Sequence, residues 1–350
     1  MRVAVAKSGG VDSSVTAALL LADGYAVQGL TMRLWKEPAA EGAAEESISA
    51  ARAVCAHLGI PHEVIDLRKQ FRREVVDYFI YEYARGRTPN PCLRCNRLLK
   101  FGLLLERARE LGCELLATGH YARVQRSGGE YHLLCGLDPR KDQSYVLYAL
   151  QQPQLRSLRL PLGERTKTDV RALAARWGLP VSGRPESQDA CFIADNDYRR
   201  FLAEHRPEAL RPGPILDRQG RSLGEHKGLP FYTVGQREGL GISAPRPLYV
   251  LNLDVARNAL IVGYAEELGR EALLAEEMSY VAMREPAASL AVEAKIRYRA
   301  ERAPARVWAM PGGRARVIFE RPLRDITAGQ AVVLYQGEEV LGGGIISQAV

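Results

Sequence analysis

Two kinds of chemistry can be read from the residue types and spacings of this chain. Near its start, Ser8, Gly9, Gly10, Val11, Asp12, Ser13 and Ser14 follow a short apolar alternation (Met1, Val3, Val5) and precede an apolar helical run from Val15. A strand, a Gly/Ser/Asp turn and a helix, in that order, aim backbone N–H groups and a positive helix end at an anion. The paired glycines lack Cβ atoms, so a phosphate can approach the main chain closely. Ser13 and Ser14 add hydroxyl donors, and either is a candidate helix cap. No Lys follows the second glycine, so the turn is not the GxxxxGK(S/T) nucleotide loop. The plainer reading is a capped turn with no ligand.

The second chemistry belongs to thiols. The stretch TPNPCLRCN sets Cys92 and Cys95 at C-x-x-C spacing, with prolines before and a helix expected just after Cys95. A thiol at a helix N-terminus beside Arg94 and Arg97 should lose its proton readily and make a better nucleophile. Structural zinc needs four ligands, and Leu116 stands where a fourth cysteine after Cys113 would complete a double pair. Cys191 precedes Phe192 and Ile193, which suits a core position. The polar run Glu186, Ser187, Gln188 and Asp189 before it does not suit a core strand, and this tilts the reading toward a nucleophile. Cys55, Cys113 and Cys135 lie in apolar contexts and read as packing residues. The histidines show no metal-ligand spacing, so none is assigned to a metal.

The elements that must position these groups follow from periodicity and punctuation. Strands are expected over YAVQGLTMRL, HEVIDL and ELLATGHYARV, with helices over Ala50–Leu58, Phe71–Ala84 and Leu98–Leu111. The small acidic segment 38–47 reads as a surface loop. Alternating strands and helices imply an α/β fold with a parallel sheet and right-handed crossovers. Ligands in such sheets sit at the carboxyl ends of the strands, so the first turn, Met32 and Gly119 should share one crevice. Near residue 200 the texture changes to short Gly- and Pro-rich segments. From about Ala272, strand-like runs (MSYVAM, AVEAKIRYRA, ARVWAM, RARVIFE, AVVLYQ, VLGGGII) point to a small antiparallel barrel.

A hydrophobic content of 47% with 25% charged residues describes an ordinary globular protein, long enough at 350 residues for two or three domains. No stretch approaches a membrane span, and the first residues read as a strand rather than a leader, so a cytoplasmic setting with reduced cysteines is expected. A net charge of +7 favours an anionic partner, although a solvated basic surface has the same total. Two stretches pair basic with aromatic residues. LDPRKDQSYVLY carries Arg140, Lys141, Asp142 and Gln143 before Tyr145 and Tyr148, and KIRYRAER, expected on a barrel strand, carries Lys295, Arg297, Arg299 and Arg302 around Tyr298. Such groups hold phosphates and stack bases, or form a solvated face.

SGGVDSS resembles the pyrophosphate loop of the ATP-pyrophosphatase superfamily. Together with TPNPCLRCNRLLKFG, ATGHYAR, KDQSYVLY, PLGERTKTDVR, SQDACFI, YTVGQREGLGI, KIRYR and LGGGII in that order, it makes the whole chain resemble the tRNA-specific 2-thiouridylase family. The resemblance implies three parts: a pyrophosphate-loop nucleotide-binding domain over 1–200, a small central domain over 201–270 and a C-terminal β-barrel over 271–350. It implies ATP with Mg2+, a tRNA whose wobble uridine is adenylated at the C2 oxygen, and an upstream protein that donates persulfide sulfur. By position, Cys191 matches the persulfide carrier and Cys95 its partner nucleophile, the two forming a transient disulfide. Ala6, Lys7, Ser8, Gly9, Gly10, Val11, Asp12, Ser13, Met32 and Gly119 match the ATP contacts. Asn90, Pro91 and Cys92 match the segment that meets the target base, and Lys141, Asp142, Gln143, Arg297 and Tyr298 match tRNA contacts.

The chain departs from that pattern in three places. Cys92 stands where many relatives carry Asp, Ala6-Lys7 where Gly-Met is usual, and Pro185, Glu186 and Ala190 replace Lys, Asp and Ile. Lys7 either adds a phosphate contact or points away. Cys92, Cys95 and Cys191 together would suffice for an iron–sulfur cluster with one open iron, as in related pyrophosphate-loop tRNA thiolases, which makes a cluster-dependent thiolation the alternative. Two further rivals are a ligase of the same superfamily, which has no use for separated thiols, and an RNA-binding module with a vestigial loop.

Overall fold

A computed structural model describes residues 1–181, 190–282 and 285–350. The polar run before Cys191, with Pro185 and Glu186, lies outside the described residues, as does Met283 of the first barrel run. The first strand, β1 (Arg2–Ala6), sits at the centre of a five-stranded parallel sheet with β2 (Ala26–Arg33), β3 (His62–Asp66), β4 (Leu115–Ala117) and β7 (Leu158–Arg159), in the order β3-β2-β1-β4-β7. All-parallel pairing with helical crossovers buries both faces, which is why Val3, Ala4 and Val5 are all fully buried.

Three local expectations change. Helix α1 (Val11–Ala22) starts four residues before Val15, with Gly10 as its N-cap and no side-chain cap. Ser13 and Ser14 therefore lie inside the first turn and do not cap it. The 38–47 segment is not a loop: a 3-10 turn at Pro38–Ala40 runs into helix α2 (Glu41–His57), because its alanines and glutamates are strong helix formers. The helix expected over Leu98–Leu111 runs over 91–110 as one rod with a π-helical middle at Cys95–Leu103, so it begins before Cys92 rather than after Cys95.

ELLATGHYARV is two strands rather than one. After β4 the chain turns at Gly119, and β5 (Ala122–Ser127) pairs antiparallel with β6 (Glu130–Cys135) in a different sheet. The central part is a four-stranded sheet of β8 (Gly213–Leu216), β9 (Ser222–His226), β10 (Tyr249–Asp254) and β11 (Ala259–Gly263). The C-terminal part holds β12 (Arg270–Tyr280), β13 (Leu290–Lys295), β14 (Ala303–Met310), β15 (Arg314–Leu323), β16 (Ala331–Gln336) and β17 (Glu339–Ala349). These six antiparallel strands run β12-β15-β14-β13-β16-β17, and β12 pairs back to β17 to close a barrel. Because β6 also pairs with β17, the hairpin β5–β6 ties the parallel-sheet part to the barrel. One apolar core runs through the junction, from Leu116 and Leu104 to Tyr145, Val333 and Tyr335. Arg297 and Tyr298 fall in the turn after β13, not on a strand. Among the described residues no helix is long and apolar enough to cross a membrane.

Candidate active site

The loop between β1 and α1 is preorganised by its own side chains. Gly9 takes a left-handed φ of 74°, which favours glycine. The Ser8 N–H donates to Ser13 Oγ at 3.2 Å, while the Ser13 and Ser14 hydroxyls donate to the Gly10 carbonyl at 3.2 and 2.8 Å. With no side chain capping α1, the positive helix end faces the loop. Asp12, the only carboxylate of the loop, is held at Oδ1 by Lys167 Nζ (2.6 Å) and the Tyr121 hydroxyl (2.9 Å). Gly119 lies against this turn: a Cβ there would stand 2.9 Å from Asp12 C and Ser13 N. Met32, the last residue but one of β2, packs against two apolar clusters. The strand ends thus bring Gly119 and the loop into direct contact, with Met32 on the same edge.

The helix 91–110 carries Cys92 and Cys95. Asn90 caps it by accepting from the Cys92 N–H at 3.0 Å, with Pro91 in the first turn. Cys95 sits one turn in. The arginines expected to activate it are turned elsewhere. Arg94 donates to the Glu74 carbonyl (2.8 Å) and carboxylate (3.2 Å) and lies 4.1 Å over the Tyr78 ring, while Arg97 pairs with Glu277 at 3.3 Å. Burial pushes the Cys95 thiol up to about 12, the nearby Cys191 and Cys92 add to the shift, and only Lys100 opposes it. The expectation of a lowered thiol is overturned.

Cys191 is exposed, yet burial raises its pKa as well, opposed by Lys36 and Lys100. The segment that follows it is anchored. Phe192 is buried in a ring cluster with Phe71, Phe79 and Phe201 at 5.3–5.9 Å. Its carbonyl accepts from the Glu37 N–H at 3.2 Å, and Glu37 Oε2 accepts from the Ala194 N–H at 2.8 Å. Glu37, 4% exposed, is gripped by both terminal nitrogens of Arg200 at 2.9 and 2.8 Å, which holds its carboxyl below the usual range. Glu37, Glu204 and His205 bring three ligand-type atoms within 4.8 Å of one another, but the Arg200 guanidinium already pairs with both carboxylates. The sulfurs of Cys92, Cys95 and Cys191 do not all come within that distance.

Lys100 links loop and thiols, and sequence reading missed it. Its Nζ donates to Asn96 Oδ1 at 2.8 Å and lies 3.4 Å from His120 Nε2. Burial, then the Lys100 charge, holds His120 well below its ordinary 6.5, so the ring is neutral. An ammonium only donates, so Nε2 accepts and Nδ1 keeps its proton for Thr118 Oγ1 at 2.7 Å. A signal was present: lysine at the fifth position after Cys95 on one helix. Lys36 and Arg200 carried none, because their relation to Cys191 is purely tertiary.

Several residues expected at the tRNA are engaged within the protein. Asp142 accepts from the Gly136 and Ser144 N–H groups (2.9 and 3.1 Å) and the Ser144 hydroxyl, and Gln143 accepts from the Tyr121 N–H. Arg297 donates to the Val234 carbonyl at 2.9 Å and to Thr327 Oγ1, joining the central part to the barrel. Tyr298 lies 6.1 Å from Tyr145, and the Lys141 main-chain N–H closes a turn by donating to the Asp138 carbonyl. Thr88, just before the C-x-x-C turn, meets both other parts: its N–H donates to the Ala328 carbonyl, Gln330 Nε2 donates to its carbonyl, and its hydroxyl lies 3.0 Å from that of Thr233. Barrel, central part and thiol turn therefore meet at one residue.

Three family models match consecutive segments: a tRNA methyl transferase HUP domain over 1–195, a tRNA methyl transferase PRC-barrel domain over 199–264, and an aminomethyltransferase beta-barrel domain over 270–346. The chain is similar to the tRNA-specific 2-thiouridylase MnmA of Roseiflexus castenholzii, at 50% identity over 99% of each chain. It is equally similar to that of Moorella thermoacetica, at 50% identity over 98% of each. A solved U34-tRNA thiolase, NcsA of Methanococcus maripaludis, matches at a TM-score of 0.36 and 22% identity over 60% of this chain and 68% of that one, too low to bear on the site.

Proposed function

The chain belongs to the tRNA-specific 2-thiouridylase family, and from that premise we propose how its site divides the work of tRNA 2-thiolation. The reading rests on one observation: two thiols share a cation, Lys100, whose Nζ lies 3.4 Å from His120, the neighbour of the Gly119 that packs on the loop. Residues 1–200 bind ATP and carry the thiols, 201–270 brace the turn at Thr88, and 271–350 meet the tRNA. ATP lies with its phosphates on residues 6–13, between Met32 and Gly119. Mg2+ enters as the counterion of the triphosphate. The one loop carboxylate, Asp12, is already paired with Lys167, so no protein ligand is assigned to the metal.

The C2 oxygen of the wobble uridine attacks the α-phosphorus, forming an O–P bond as pyrophosphate leaves. N–H groups fixed at the loop and the helix end stabilise that charge without reorganising. Cys191 carries a persulfide, loaded by an upstream donor protein. Its terminal sulfur replaces AMP at C2, and Cys95 attacks Cys191 Sγ. The S–S electron pair then stays with the sulfur on uridine, leaving a Cys95–Cys191 disulfide. A dithiol reductant resets the pair. Alternatively, Cys95 attacks first and frees hydrosulfide, which then replaces AMP. In either order Cys95 must lose a proton that burial strongly favours, and Lys100 is the cation that offsets this. The cluster-dependent alternative is not favoured, because the full-length relatives at 50% identity are tRNA-specific 2-thiouridylases.

Asn90 to Cys92 form the lip on which the base rests, while Lys141, Asp142, Gln143, Arg297 and Tyr298 shape the tRNA surface around it. Cys92, at the first turn of its helix, takes the place of the usual carboxylate. Mass spectrometry of tRNA incubated with the protein, ATP and a sulfur source tests the reading. A mass gain of sulfur for oxygen at uridine is expected; unchanged uridine refutes it.

A further inference from the structure

Lys7 leads into the loop, yet its side chain is only 3% exposed. It runs beneath the first turn of α1, where Nζ lies 3.2 Å from the Ser13 carbonyl and 3.1 Å from Ser14 Oγ. The Ser14 hydroxyl passes the contact on to the Gly10 carbonyl, and the Lys7 N–H is fixed to the Leu30 carbonyl at 2.7 Å. An ammonium is thus lodged inside the protein, directly under the turn that forms the anion cradle.

Among the described residues no carboxylate pairs with it. From α2, Cys55 faces Lys7, and burial pushes that thiol up, so it stays protonated. From β3, His62 is held below its ordinary 6.5 by burial, then by Arg52 and Lys7, and shares a 2.8 Å contact with Thr31 Oγ1 of β2. From α1, Asp12 is paired with Lys167 instead. A buried charge without a partner destabilises the fold, and such a charge is tolerated where a ligand supplies the partner.

We propose that Lys7 is a positioning residue of the loop and a buried countercharge for the triphosphate: from behind, it fixes the Ser13–Ser14 turn and favours an anion in front. This rests on reading the loop as the ATP site. Burial lowers Lys7 to about 8, so the free protein loses this charge as pH rises through about 8. A bound anion stabilises the ammonium and carries it to higher pH. Binding therefore takes up protons above pH 8, and the contribution of Lys7 to affinity is full below pH 8 and fades above it.

The test is calorimetric titration of the full chain with MgATP at pH 8.5, in buffers of different ionisation enthalpy, on wild type, Lys7→Met and Lys7→Gln. Wild type should take up a fraction of a proton that both variants lack. Both variants should bind roughly tenfold more weakly, the scale of one charge acting through polar protein. Both should also unfold at a higher temperature at pH 7, the reverse of what a purely structural lysine would show. Equal proton uptake in wild type and variants, or unchanged affinity, overturns the proposal. A wild type that binds no MgATP overturns the functional reading instead.

Discussion

In the anion loop, consecutive residues supply the turn, its internal hydrogen bonds and the helix end, and Gly119 is the main distant contributor. At the thiol site, Cys95 and Cys191 come from separate segments, and their environment is set by Lys100, Lys36, Glu37 and Arg200 from other places in the chain. The loop is electrostatically ready before its ligand arrives. The thiols are not: burial holds both toward the protonated form. An enzyme that adenylates before it substitutes gains from this order, since a resting thiolate would be open to oxidation.

The largest effects should separate the two regions outright. Cys191→Ser and Cys95→Ala should each lower uridine thiolation by at least about a thousandfold, the loss expected for an essential nucleophile, with MgATP affinity within twofold of wild type. Nucleoside mass spectrometry and calorimetry check the pair of values. Gly119→Ala should do the converse. Its Cβ would press on Asp12 and Ser13, and overpacking of about 1–3 kcal/mol should weaken MgATP binding by roughly 5- to 150-fold. The variant should keep reactive thiols, as titration with a thiol reagent will show.

Smaller effects probe what sets the thiol chemistry. Lys100→Met removes the one cation opposing the rise of Cys95, so its thiolation rate at pH 7 should fall roughly tenfold and its pH–rate profile move to higher pH. A profile superposable on wild type would remove Lys100 from the account. Glu37→Gln, at a pair 6% and 31% exposed, should destabilise the fold by about 1–3 kcal/mol at pH 7. Because Arg200 lowers the folded-state pKa of Glu37, its stabilisation is present above the unfolded-state value and fades as pH falls through the folded one. Denaturant curves of wild type and variant should therefore converge in acid.

The same contrast explains what the sequence made legible. The loop, the parallel sheet and the six-stranded barrel follow from local order and periodicity, and a contiguous cradle leaves a contiguous signature. Start points slipped where composition misled. Gly10 serves as N-cap although serines stood nearby, and Ala/Glu-rich residues 41–47 are helical although small and acidic. ELLATGHYARV reads as one strand by its apolar residues, although Gly119 inside it is the turn signal at which the chain changes sheet. The thiol site was legible only as a set of candidate nucleophiles. Arg94 and Arg97 flank Cys95 in sequence, but helical geometry turns them toward Glu74 and Glu277, a direction set by tertiary contacts. Asp142 and Arg297, expected at the tRNA, also brace the protein itself through their side chains, which no local pattern indicates.

The most direct test of the central claim, that the loop activates and the thiols substitute, is tRNA-dependent exchange of labelled pyrophosphate into ATP by Cys191→Ser protein. Exchange near the wild-type rate, with no sulfur reaching uridine, is the predicted result. Loss of exchange together with thiolation would show that activation requires the thiol and would contradict the account.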